Sequence, residues 1–198
     1  MAVYFTEEQY QNAIRGGAPL VKVIEKQKNP LRQLRSYQSR ANGEAFENLI
    51  KAACKEYKKQ GMANIEKTPE PFKITRDLGN GQFQGHFEKM AQPDFKGTLR
   101  GGRAIAFEAK HTDNDQIEYA RLTEEQIEQM ELHYQMGAEC FVLVSYRFSR
   151  FFRVPWEAWR TMKHLYGRKY MKLEELLPYR VPMKNGVIKF IIDGGKEI

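Results

Sequence analysis

The stretch AQPDFKGTLRGGRAIAFEAKHT, residues 91–112, constrains the fold more than any other part of the chain. It reads as a strand, a glycine-rich turn and a second strand. In 104–110, AIAFEAK, Ile105, Phe107 and Ala109 share one face while Ala104, Ala106, Glu108 and Lys110 share the other, because successive strand residues point to opposite sides. The first face is apolar and suits a core. The second carries an acid and a base beside small alanines, which predicts open space above the sheet. A hairpin symmetric about Gly101 sets Asp94 opposite Glu108. Opposed side chains on neighbouring strands have Cβ atoms roughly 4.5–5.5 Å apart. Two carboxylates so placed repel each other unless one is protonated or a cation joins them. A hard divalent ion is the expected cation: magnesium takes carboxylate oxygens at about 2.0–2.1 Å and keeps several waters for a phosphate substrate. Lys110 then stands where an ammonium orients water and holds charge on a reacting phosphate. The rival reading is a surface strand on which Glu108 and Lys110 merely balance each other.

Around this hairpin the hydrophobic period alternates between that of helix and that of strand. Residues 42–60, NGEAFENLIKAACKEYKKQ, place Phe46, Leu49, Ile50, Ala53, Cys54 and Tyr57 at helical spacing, with Asn42 as cap and Gly61 as stop. A short apolar piece at Ile65 and the turn TPEP follow. In 72–90, Phe72, Ile74, Phe83 and Phe87 alternate about Asn80-Gly81, a strong hairpin signal. This second hairpin carries Lys73, Arg76, His86 and Lys89 but little apolar surface, so it is expected to project. A helix over 123–136 stops at Gly137, the strands CFVLVSY and RFFRV follow, and the helix PWEAWRTMKHLY sets Pro155 in its first turn. The closing IKFIIDGGKEI is expected to add a small strand. Strands interleaved with helices give an α/β class, a central mixed sheet flanked by helices.

The 198 residues suffice for one domain with a real core. A formal charge of +7 favours polyanionic partners. Residues 1–40 hold seven Lys/Arg against three Glu and read as a basic arm. Arg147, Arg150 and Arg153, with Lys55, Lys58 and Lys59, are candidates to track phosphates. Cys54 and Cys140 lie in apolar runs and suggest no disulfide, which fits a reducing cytosol. The first residues lack both a basic and an apolar leader region, and no apolar run approaches the roughly 18 residues of a membrane span. A cytoplasmic protein with no membrane partner is expected. His86, His111, His133 and His164 show no ligand spacing, no C-x-x-C occurs, and no phosphate-cradling G-x-x-x-x-G-K-[ST] loop is present. Zinc chemistry and ATP-driven work are therefore disfavoured.

Taken in order, QPDFKG at 92–97 and FEAKHT at 107–112 resemble the PD-(D/E)-x-K nuclease signature, specifically the RecU-type Holliday junction resolvases. These proteins pair a DF-x-G strand with a FEAK-x-T strand. The resemblance runs over about residues 40–155, taking in NGEAFENLI, the projecting hairpin and EEQIEQM. It implies a restriction-endonuclease-like core, with residues 41–182 as the nuclease domain, a stalk hairpin at about 72–90, and 183–198 as a tail. It implies magnesium, with manganese expected to substitute, on Asp94, Glu108 and the Ala109 carbonyl, and Lys110 as the catalytic lysine. Glu47 matches the acid that the first helix extends toward the site, and Gln126 the glutamine after the lysine strand. The DNA contacts expected are Arg32, Arg35 and Arg40 of the arm, Lys73, Arg76 and Lys89 of the hairpin, and Arg147 and Arg150. The implied reaction is paired hydrolysis of a four-way junction by a homodimer, leaving 5′-phosphate and 3′-hydroxyl ends. A recombinase stands among the candidate partners. Another PD-(D/E)-x-K endonuclease acting on duplex DNA, and a non-catalytic junction-binding protein, are the alternatives. Two residues have bland readings of their own. Glu47 suits the solvated start of a helix. Thr123-x-x-Gln126 is a capping box, a role that conflicts with facing a metal.

Overall fold

A computed structural model describes residues 30–69, 72–87, 92–193 and 196–197 of the chain. It divides into two units, Met1–Arg40 and Ala41–Ile198. The described part of the first, residues 30–40, is helical. Helix α1 spans Pro30–Lys59, so it starts well before the expected Asn42. Proline suits a first helical position, and the Leu, Arg and Gln that follow are good helix formers, so nothing stops the helix short. Asn42 does not cap; its side-chain amide lies 3.4 Å from His111 Nε2 and donates to Asp113 Oδ2 at 3.3 Å. Gly61 closes the helix in the left-handed region at φ 62, and the Met62 amide donates to the Tyr57 carbonyl.

The central sheet has six strands, β1 (Ala63–Lys67), β4 (Phe95–Leu99), β5 (Ala104–Thr112), β7 (Glu139–Tyr146), β8 (Arg150–Pro155) and β10 (Arg180–Val181). They lie in the order β1-β4-β5-β7-β8-β10. Only β5 and β7 pair in parallel, so the sheet is mixed, as the interleaved pattern required. The connection between those two carries α2 (Glu124–Gln135) across one face, as a parallel crossover must. The short strands β6 (Gln116–Glu118) and β9 (Tyr170–Lys172) form a pair of their own.

Each face of the sheet has its own core. On one side Phe46, Ile50, Ala53 and Tyr57, a stripe along α1, pack with Phe95, Ile105, Phe107, Phe141 and Leu143. Phe107 stacks on Phe95 and Phe141 with ring centroids 5.0 and 4.6 Å apart. On the other, Ala106, Val142, Val144 and Val154 pack with Met130 of α2, with Trp156 and Trp159 of α3 (Trp156–Arg160) and with Met162 of α4 (Met162–Tyr166). Pro155 precedes α3 as its cap instead of entering its first turn. The space expected above the alanines is thus partly filled: a small side chain at Ala106 lets Met130 come down fully buried.

Part of the expected tail from residue 183 joins the core. Ile188, Phe190 and Ile191 are buried with the α1 face. Tyr57 Oη donates to the Ile188 carbonyl at 2.8 Å and accepts from the Phe190 amide at 2.9 Å. The second hairpin forms as its turn demands, with β2 (Phe72–Gly79) and β3 (Gln82–Phe87) joined by Asn80 at φ 53 and Gly81 at φ 76. Every residue of β2 is exposed. Contrary to expectation this hairpin is not poor in apolar surface, since Phe72, Ile74, Leu78 and Phe83 are all exposed.

Candidate active site

The β4–β5 hairpin has the register read from its symmetry: Phe95 pairs with Phe107, Lys96 with Ala106 and Gly97 with Ile105. Continuing that register brings Asp94, just before β4, level with Glu108. Gly97 is what lets β1 close on β4, because a Cβ there would lie 2.1 Å from the Asn64 carbonyl oxygen. The loop before β4 is tied down by the Thr68 hydroxyl, which donates to the Pro93 carbonyl at 2.6 Å, and by the Thr68 amide, which donates to the Asp94 carbonyl at 2.9 Å.

Asp94, Glu108, Lys110 and Gln126 come together at the C-terminal end of β5. Lys110 Nζ donates to Glu108 Oε2 at 2.8 Å and lies 3.7 Å from Asp94 Oδ2. The ammonium therefore joins the two acids, and a divalent ion is not the sole way to relieve their repulsion. Asp94 Oδ2 also accepts from the Ala109 amide at 2.9 Å. The N–H and C=O of a strand residue point to the same edge, so the Ala109 carbonyl faces the side on which Asp94 sits. Gln126 resolves its apparent conflict by using both ends of its amide. Oε1 accepts from the Thr123 amide at 3.1 Å, completing the capping box, while Nε2 donates to Glu108 Oε2 at 2.8 Å.

Glu108 is fully buried, and its Oε1 has no hydrogen-bond partner. Burial pushes its carboxyl up to about 7; Lys110 opposes the shift and Asp94 adds to it. A buried oxygen without a donor is costly and is open to a cation. Among the described residues no third His, Cys, Asp or Glu joins the pair. The available donors are two carboxylates and one carbonyl, which suits magnesium, since that ion keeps most of its waters. The residues present fit the ion that the resemblance implies.

Other sequence candidates lie elsewhere. Glu47 is paired with Lys67, the cross-strand partner of Phe95, and not with Asp94 or Glu108. Arg153 is not a phosphate tracker: it is nearly buried, paired with Glu139 and set over the Phe141 ring at 4.3 Å. Arg147 Nη2 lies 3.1 Å from Asp115 Oδ1, and its Nε donates to the Asp113 carbonyl. Arg150 lies over Tyr146. Arg40, Lys73 and Arg76 are exposed. Lys89 and the side chains of Arg32 and Arg35 fall outside the described residues. Cys54 and Cys140 are free and buried, and burial pushes each thiol up to about 12, so neither is a thiolate nucleophile.

The frame beyond Lys110 has no motif in the sequence. His111 Nδ1 lies 3.1 Å from Oγ of the buried Ser145, its Nε2 lies 3.2 Å from Asp113 Oδ1, and its ring stacks on Phe148 at 4.3 Å. Arg121 donates to the His111 carbonyl. Phe148 reaches the ring from a turn in which Arg147 and Phe148 hold φ 48 and 50. No glycine or asparagine marks that turn, so it has no signature in the order of residues.

The sequence matches the family Recombination protein U, RecU, over residues 41–192. The chain belongs to the RecU family. Proteins of Streptococcus pneumoniae named Holliday junction resolvase RecU are among its relatives. That of strain G54 is 28% identical over 189 residues, covering 87% of this chain and 94% of its own. That of strain Hungary19A-6 is 30% identical over 128 residues, covering 62% and 63%; against that shorter alignment the chain spans under two thirds of its relative. Among solved structures, Archaeoglobus fulgidus Hjc, a Holliday junction resolvase, is 16% identical with a TM-score of 0.42, covering 72% of this chain and 92% of that one. The RecU match begins at Ala41, one residue past the boundary between the two units. It runs on to residue 192 and so includes the C-terminal segment that packs on Tyr57.

Proposed function

We propose that this RecU-family chain is a metal-dependent, structure-selective endonuclease that resolves Holliday junctions by paired phosphodiester hydrolysis. The observation that carries the chemistry is the buried Glu108, whose Oε2 is held by Lys110 and Gln126 while Oε1 has no hydrogen-bond partner, with Lys110 also 3.7 Å from Asp94 Oδ2. Such a carboxylate serves a structure poorly and a cation well.

Asp94, Glu108 and the Ala109 carbonyl would hold magnesium, with manganese as a substitute. When bound, the ion supplies Lewis-acid activation of water and neutralises charge on the phosphate. The chain's own groups do the rest. Gln126 fixes the orientation of the Glu108 carboxylate. Lys110, whose ammonium lies 2.8 Å from Glu108 Oε2 and 3.7 Å from Asp94 Oδ2, would turn toward the phosphate and stabilise the extra charge of the transition state. Water attacks phosphorus in line, the P–O3′ bond breaks, and the departing oxygen takes up a proton, giving a 5′-phosphate and a 3′-hydroxyl. Two copies of the chain in a two-fold dimer present two such sites to a junction of matching symmetry. A cytoplasmic location accords with this work, and no described helix is long and apolar enough to cross a membrane.

The test is Asp94→Asn on a mobile four-way junction and on a linear duplex. The variant is expected to keep junction binding in a gel shift and to lose magnesium-dependent nicking by at least about a hundredfold. Unchanged nicking refutes the ligand assignment. Equal cutting of junction and duplex by the wild-type protein removes the resolvase claim and leaves a general duplex endonuclease.

A further inference from the structure

Helix α1 carries Lys51, Lys55 and Lys58 at spacings of four and three, one stripe on the helix surface. All three are exposed. They overlook a groove of about 540 Å³ between α1 and the edge strand β1, floored by Cys54, Ile65 and Phe95. Lys67 closes it beside Phe95. The stripe is poorly neutralised. The Lys55 side chain has no hydrogen-bond or ion-pair partner among the described residues, Lys51 reaches only the neutral Asn48 at 3.3 Å, and Lys58 lies 3.7 Å from Glu66 with both side chains largely exposed. Like charges at helical neighbour positions destabilise a helix. The helix dipole repays cations in the last turn alone, which accounts for Lys58 but not for Lys51 or Lys55.

The groove lies on the α1 face of the sheet and borders the strand that follows Asp94. Phe95 on its floor follows Asp94 directly, and Thr68, next to Lys67, donates its amide to the Asp94 carbonyl. From Lys51 to Lys58 the helix rises about 10.5 Å, enough to face roughly three phosphates of one strand at about 3.4 Å of axial rise each. We infer that this groove is a track for the sugar-phosphate backbone of a DNA arm, read without regard to base, running along α1 beside the edge strand β1. The inference rests on the endonuclease reading for its ligand, while its geometry is that of α1 and β1 alone.

The experiment compares wild-type protein with the triple variant Lys51→Gln/Lys55→Gln/Lys58→Gln, in which glutamine keeps helix propensity. Fluorescence anisotropy in calcium in place of magnesium follows binding to a four-way junction and to a linear duplex across a salt series. Lys163→Gln/Lys172→Gln/Lys184→Gln, three exposed lysines elsewhere, is the control for net charge. The groove variant is expected to bind both DNAs about 10- to 100-fold more weakly at 0.1 M salt. Its slope of log K against log salt should be shallower by about 2–3, near 0.9 for each phosphate that is no longer neutralised. The control should lose little affinity. Affinity and slope equal to wild type overturn the inference, and so does an equal loss in the control. A wild-type protein that fails to nick the junction counts against the endonuclease reading instead, and the duplex arm still decides the groove.

Discussion

Lys110 holds together two acids that would otherwise repel, and it does so from the same strand as one of them. On the proposed reading the site would have two states, one with the ammonium between the carboxylates as seen and one with a divalent ion held by them. In protein stripped of metal, burial holds a proton on Glu108 up to about pH 7, against an ordinary value of 4.5. Between those values the folded state binds more protons than the unfolded one, so stability falls as pH rises through the window. The melting temperature in EDTA should therefore drop from pH 4.5 to 7 more steeply in wild type than in Glu108→Gln. Magnesium should raise it more at pH 8 than at pH 5. Identical pH slopes in the two proteins would remove Glu108 as the titrating group. Lys110→Met should still bind magnesium, by the same melting shift, yet nick more slowly by at least about a hundredfold. The residue types at 94, 108 and 110 were legible because strand alternation alone puts Glu108 and Lys110 on one face. That an ammonium joins the acids was not, because it depends on how far the Lys110 side chain folds back.

Among the secondary elements, α2 is built into the site through its first turn. Gln126 both caps the helix and holds Glu108, so the two functions can be separated by choosing the partner to remove. Thr123→Ala should cost about 1 kcal/mol of stability with nicking nearly unchanged, whereas Gln126→Ala should lower stability and nicking together. Equal nicking in both variants would reduce Gln126 to a cap. Strand β4 makes a second demand at Gly97. An added methyl would meet the Asn64 carbonyl oxygen at 2.1 Å, so Gly97→Ala should destabilise by about 1–3 kcal/mol, measured by urea unfolding. A midpoint equal to wild type would mean that β1 can move aside. The glycine of the DF-x-G pattern was visible in the sequence; its reason, the backbone of a strand about thirty residues upstream, was not.

At the scale of the whole molecule, two matching nicks require two sites. Light scattering is expected to give twice the mass of the 23.2 kDa chain, with symmetric strands of the junction cut at equal rates; a monomer that cuts both strands would break that expectation. Among the described residues, hairpin β2–β3 contributes none to either core cluster. Replacing residues 73–86 with a short Gly-Ser link should leave the melting temperature within a few degrees. If the exposed Phe72, Ile74, Leu78 and Phe83 serve the junction, the same change should abolish the preference for junction over duplex. A large fall in melting temperature would instead make the hairpin part of the fold.

Local rules determined the strand–turn–strand carrying Asp94, Glu108 and Lys110, its register about Gly101, the Asn80-Gly81 hairpin, the α1 stripe and the mixed α/β class. Period, turn chemistry and pairing symmetry act over a few residues, and these can be read from the residues in order. Tertiary structure alone decided which partners the charged and polar groups found. It gave Glu47 to Lys67, Arg153 to Glu139, the amide nitrogen of Gln126 to Glu108, and the last buried residues to Tyr57. Those choices join residues 14 to 133 positions apart. They follow from desolvation, which drives buried polar groups to whatever partners the fold has brought within reach.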